Sequence, residues 1–126
     1  MKRDGNIIPE IIDHGNMSES FDQVLRGTVR KTCREGRELL ARREEVIANL
    51  QREIADGSFE VTEYREREIY EYGKHRILQI VPMERRIGCH AIMRVVDRHL
   101  HRRFIRTTGA SIVGRGTHDL MSQVRE

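Results

Sequence analysis

The sequence predicts an α+β fold, helices flanking a short antiparallel β-hairpin, and three observations carry that prediction. Apolar residues recur at helical spacing through residues 21–55 and again through 84–104. Between them the period drops to two, in a run of β-formers interrupted by Tyr72-Gly73-Lys74. At 126 residues and 37% hydrophobic, the chain has the size and the apolar content of one domain without a disulfide staple.

Each element has its own signal. Residues 1–17 hold Gly5, Pro9 and Gly15 and no sustained period, so a leader is expected there, with a loose apolar patch at Ile7, Ile8, Ile11 and Ile12. Ser20 followed by Gln23 reads as a capping box, which divides the chain into a leader, 1–20, and a folded domain, 21–126. Phe21, Val24, Leu25 and Thr28 then share a helical face. A second helix is expected over 37–55, with Leu40, Ile47, Leu50 and Ile54 on one stripe and Asp56-Gly57 stopping it. Its other face (Arg42, Arg43, Glu44, Glu45, Arg52, Glu53) reads as solvated surface.

Strands are expected over 67–72 and 75–81, and Pro82 ends the second. The strongest helix follows over 84–104. It buries Ile87, Ala91, Ile92, Val95, Val96 and Leu100, while His90, Arg94, Arg98 and Arg102 recur every four residues on another face. A glycine-punctuated loop is expected over 107–116, and Thr117 is placed to cap a last helix through Val124.

Charge is distributed unevenly. The chain as a whole carries only +3, and residues 59–72 carry −3. Residues 73–106 hold nine basic side chains against Glu84 and Asp97, a net of +7, and eight of the nine are arginine. Arginine suits phosphate because its planar fork donates two parallel hydrogen bonds and stays charged. A polyanionic partner is therefore expected.

Several function classes are excluded or unsupported. No apolar run approaches the ~20 residues of a membrane span. Met1-Lys2-Arg3-Asp4-Gly5-Asn6 lacks a signal peptide's apolar stretch, and Cys33 and Cys89 form no CxxC pair. A cytoplasmic chain with free thiols is expected. The six histidines never pair with cysteines at zinc spacing, and His99 and His101 lie about 200° apart on a helix. The aspartates are scattered, whereas two-metal phosphoryl transfer needs clustered carboxylates. No metal or catalytic residue is assigned, and this chain alone is expected to be inactive.

One resemblance runs through the second half. Gly73-Lys74-His75-Arg76 between two strands is followed by Pro82, then Arg86-Ile87 and Ala91-Ile92 on a helix. Arg103-Phe104-Ile105 and Gly114-Arg115-Gly116-Thr117-His118-Asp119 come next. In order and spacing this series resembles the amino-terminal part of bacterial reverse transcriptases, those of group II introns and diversity-generating retroelements, over roughly residues 37–126. The resemblance implies a fingers-type region that precedes the catalytic palm of an RNA-directed DNA polymerase, a nucleotidyltransferase. Its expected partners are an RNA template, a primer and deoxynucleotide triphosphates, with Mg2+ as the parent enzyme's cofactor. By position, Arg65 and Arg76 match the family's triphosphate-contacting arginines. Glu71 stands where many relatives carry a lysine, and Lys74 is the substitute. Arg86, His90, Arg94, Arg98, Arg102 and Arg115 are the expected nucleic-acid contacts. A different class fits the same charge, a small basic RNA- or DNA-binding adaptor without polymerase ancestry. A homo-oligomer through the apolar surface that a palm would cover is also expected.

Overall fold

Asp13 decides where the first long helix begins. In the computed structural model of the chain, which describes residues 3, 5–105, 108–109 and 112–125, its carboxylate accepts from the Asn16 amide at 3.3 Å and caps α2 (His14–Val24). A single turn, α1 (Ile8–Ile11), precedes it with Pro9 in its first positions. The capping box expected at Ser20 is therefore not a helix start. Ser20 sits inside α2, fully buried, because Met17, Phe21 and Val24 form one stripe with it that faces the core. Residues assigned to a leader thus contribute Ile11 and Met17 to the interior.

Gly27, at φ +103°, turns the chain into α3 (Thr28–Thr32), where Thr28 points to solvent instead of sharing the Phe21 face. The single helix expected over 37–55 is two. α4 (Arg34–Ala41) and α5 (Arg43–Asp56) break at Arg42, whose guanidinium pairs with Glu45 across the break. Leu40 is exposed, and Leu39, one residue round the helix, takes the buried position. Val46, Ile47, Leu50 and Ile54 of α5 face inward, and left-handed Gly57 ends the helix.

The two strands, β1 (Arg65–Glu71) and β2 (Lys74–Ile80), form one antiparallel two-stranded sheet. Both start and stop earlier than expected. The turn is only Tyr72-Gly73, at φ +50° and +73°, the pair of left-handed residues that a type I′ hairpin requires. After Pro82, α6 (Met83–His101) begins with the Met83 amide donating to the Glu35 carboxylate at 2.7 Å, a charge placed where the helix dipole favours it.

The contacts divide the chain into two compact units, residues 1–96 and 97–126, with α6 running across the division. In the first unit Ile87, Ala91 and Val95 of α6 close a core with Met17, Phe21, Leu25, Ile47 and Leu50. Gly88 permits that approach: a Cβ there would stand 2.4 Å from the Phe59 ring. Asn16 crosslinks the layers, donating to the carbonyls of Ile11 and Ala91 at 2.9 and 3.1 Å.

In the second unit α6 stops at His101, three residues short of the expected end, where Arg103 and Phe104 amides both donate to the Leu100 carbonyl. Leu100 itself is exposed. Left-handed Gly114 turns a bridge between Ile112 and Arg115. α7 (Thr117–Arg125) follows, with Thr117 its first residue and not its cap. Arg106, Thr107 and Ser111, part of the basic segment and of the expected loop, lie outside the described residues.

Candidate nucleic-acid interface

The hairpin register sorts charge by face. Arg65, Arg67, Ile69 and Glu71 stand opposite Ile80, Leu78, Arg76 and Lys74, and directly opposed residues share a face. One face therefore carries Arg65, Arg67, Arg76 and Lys74 against the single carboxylate of Glu71. The other carries Glu66 and Glu68 with Tyr70, His75, Ile77 and Gln79. A segment that is acidic by count thus presents a basic surface, because its arginines and glutamates alternate with the period of the strand.

All four basic side chains are exposed. Arg76 lies 3.5 Å from Glu71, and Arg65 lies 3.5 Å from Glu35. Pairs this exposed hold their partners weakly and can be exchanged for a ligand's phosphates. Lys74 and Arg76 are two residues apart on the shared face, and Arg67 is the diagonal neighbour of Arg76. Arg65 is four positions further along, about 13 Å from Arg76 by strand rise. The three residues expected to hold a triphosphate therefore do not meet at one point. They are ends of a row that Arg67 completes. Arg67 was not singled out in the sequence, although its place two residues from Arg65 gives it the same face.

Much of the opposite face is bound to itself. Glu68 lies 3.5 Å from His75, and the Tyr70 and His75 rings sit 5.0 Å apart. Tyr72 at the tip is 94% exposed. Below the hairpin, Arg65 lines a cleft of about 470 Å³ with Arg30, Cys33, Arg34 and Glu35.

The arginines of α6 within the first unit are set differently. Arg85 is bound to Glu53 and lies over the Phe59 ring at 5.1 Å. Its hydrogen bonds hold the Glu53 carboxyl below the usual carboxylate range, and its own pKa is raised by the same contact. Arg86 donates through Nε to the Val81 carbonyl at 3.0 Å, tying the helix to the end of the hairpin. Arg94 donates to Glu19 of α2 at 2.8 Å. His90 is half-buried beside it. Burial pushes the His90 imidazole below its ordinary value, the Arg94 charge adds to this, and Glu19 opposes it. On α5, Arg43 of the expected solvated face instead binds Asp22 and lies over the Phe21 ring at 4.8 Å.

The remaining expected contacts belong to the second unit. Arg98 is exposed on the last turns of α6, and Arg102 follows the helix end. Arg115 donates to the Ile105 carbonyl at 3.1 Å. Among the described residues, no three of His, Cys, Asp and Glu gather closely enough to hold a metal ion. No helix among them is long and apolar enough to cross a membrane. Neither a protein-family model nor a curated protein matches the chain.

Proposed function

We propose that the chain is the amino-terminal, fingers-type part of an RNA-directed DNA polymerase, and that the basic hairpin face holds phosphates of the template–primer and the incoming nucleotide. The observation that supports it most is the placing of Arg65, Arg67, Arg76 and Lys74 on one exposed face, with Glu66 and Glu68 on the other. A row of cations suits a row of phosphates, which fix register without reading sequence. The Lys74–Arg76 end, where two cations adjoin, is the part suited to a triphosphate. The chain's own work is binding and orientation. Mg2+ in such polymerases stabilises the charge that develops during phosphoryl transfer. The described residues do not fit it, since they gather no carboxylate cluster, and no step here runs through it.

Anisotropy of a labelled RNA–DNA primer–template, titrated at several salt concentrations, tests the face. Affinity should fall steeply with salt, and replacing Arg67, Lys74 and Arg76 by alanine should flatten the logarithmic slope by about two. Glu66→Ala with Glu68→Ala should leave the slope unchanged. A triple variant that binds like the parent chain removes the hairpin from the interface. The spread of the cations equally suits a basic adaptor, which would bind primer–template no better than any nucleic acid of equal charge. In a polymerase that contains this segment, Arg76→Ala should raise the KM for deoxynucleotides by more than it weakens primer–template binding.

A further inference from the structure

We infer that the free edge of β1 is a self-complementary docking surface, and that its occupant is β1 of a second copy of this chain. The inference does not depend on the polymerase reading.

Among the described residues the sheet has two strands, so each strand has one edge without a strand partner among them. The two-residue turn makes Glu71 and Lys74 the hydrogen-bonded pair that closes the hairpin. Alternation from that pair turns the backbone N–H and C=O of Glu71, Ile69, Arg67 and Arg65 towards β2. The same groups of Tyr70, Glu68 and Glu66 then point outward along the edge of β1. An exposed row of this kind is a template for another strand. A two-stranded hairpin is marginal alone in water, and here Ile77 and Leu78 are 55% and 42% exposed. A second hairpin added at the edge makes a four-stranded sheet.

Charge selects the partner and the register. A two-fold axis normal to the sheet pairs β1 with its own copy, antiparallel, with like faces adjoining. Centred on Ile69, the register sets Arg67 opposite Glu71 twice, Glu68 opposite Tyr70 twice, and Ile69 opposite itself. The outward groups of Glu68 and Tyr70 then form the hydrogen-bonded pairs. Sliding by two residues to centre on Glu68 opposes two carboxylates while pairing Arg65 with Glu71. Sliding by two the other way to centre on Tyr70 loses both Arg67–Glu71 pairs, and sliding by four to centre on Arg67 opposes two guanidinium groups. The β2 edge has Lys74 and Arg76 and no carboxylate, so it repels a copy of itself. Glu71, 3.5 Å from Arg76 within the hairpin, is shared with the partner's arginine in the pair. An edge this short buries less than a standard interface, so the association is weak and reversible.

Sedimentation equilibrium of the whole chain at rising concentration should show a mass that climbs from one copy towards two and no further. Arg67→Glu should weaken the association by about tenfold, since two favourable cross-strand pairs become repulsive. Arg67→Glu with Glu71→Arg should restore it. Glu68→Pro removes an outward N–H and leaves the β2 ladder intact, so it should give a monomer whose hairpin amides still exchange slowly. In a Cys33→Ser, Cys89→Ser background, Ile69→Cys should form a disulfide-linked dimer on mild oxidation, because opposed non-hydrogen-bonded residues stand about 4.5 Å apart. A chain monomeric at millimolar concentration overturns the inference. So does a mass that grows past two copies, or a charge swap that fails to restore association.

Discussion

The hairpin and the first turns of α6 both carry closely spaced arginines, and the fold treats them in opposite ways. On α6, Arg85 is held by Glu53, Arg86 by the Val81 carbonyl and Arg94 by Glu19. These side chains join α6 to α5, to the end of the hairpin and to α2. On the hairpin, Arg65, Arg67 and Arg76 stand in solvent, Arg65 3.5 Å from Glu35 and Arg76 3.5 Å from Glu71. Residues 73–106 are +7 and residues 59–72 are −3, yet part of the acidic stretch lines the more accessible basic face. Net charge over a window counts side chains. What a polyanion meets is charge left over after the fold has used its own, sorted by the period of the element that carries it.

The largest effects should come from the helical side of this comparison. A Cβ at Gly36 would stand 1.7 Å from the Arg30 carbonyl oxygen, backbone that cannot turn aside as a side chain does. Gly36→Ala should therefore cost about 2–3 kcal/mol by forcing α3 and α4 apart. A fall in the urea midpoint with an unchanged salt slope for nucleic acid is the expected pair of results. A neutral Gly36→Ala would mean the two helices lie further apart than described.

Next in size are the arginines themselves. Arg86→Ala leaves the half-buried Val81 carbonyl without its donor and should cost about 1 kcal/mol of stability. Arg94→Ala removes a partly exposed ion pair and should cost less. Arg67→Ala with Arg76→Ala should do the reverse. Stability should stay within about 0.5 kcal/mol, as for surface changes generally. The salt slope of binding should fall by about 1.5, one charge contact each. If the α6 variants lost as much slope as the hairpin pair, the division between structural and available arginines would fail.

His90 tests the same helix by pH. Its folded pKa is depressed, so the unfolded chain binds the proton more readily. Stability should be constant above about pH 6.5, fall as pH drops from there to the depressed folded value, and level off below it. His90→Gln should abolish that fall, read as urea midpoints between pH 7.5 and 5. Glu53 adds a separate loss at lower pH, because its depressed pKa means that stability is lost as the carboxylate takes up its proton.

The elements differ in how well the sequence announces them. The hairpin was legible because Tyr72-Gly73 separates two runs of period two, although Tyr72 is an unusual residue for a left-handed turn. The core face of α6 was legible at Ile87, Ala91 and Val95, where the period of 3.6 is unbroken. The start of α2 was not. Asp13 is a good cap, but Gly15 in the first turn disguises the helix, and Ser20 offers a second capping pattern inside it. The break at Arg42 has no capping side chain to mark it. Arg86, Arg94 and Arg115 looked like available charge because their acceptors, Val81, Glu19 and Ile105, are set by tertiary contacts that spacing cannot show.

The smallest effect should come from the hairpin tip, where stability and binding are set against each other. Tyr72 sits at φ +50°, a region where a residue with a large side chain is strained, and asparagine is far better tolerated there. Its ring is 94% exposed, so removing it sacrifices little packing. Tyr72→Asn, which makes the turn Asn-Gly, should therefore stabilise the hairpin by about 0.5 kcal/mol. Slower exchange of the hairpin amides is the direct readout, since global unfolding would report mainly on the helices. An aromatic side chain beside a row of cations is also what a single-stranded nucleic acid stacks on, an interaction worth about 1–3 kcal/mol per base. The same substitution should then weaken binding to a single-stranded template while leaving the salt slope alone, because stacking releases no counterions. A tighter hairpin with undiminished affinity would confine the interface to the basic face, and a loss of slope would mean that the turn itself positions Lys74 and Arg76.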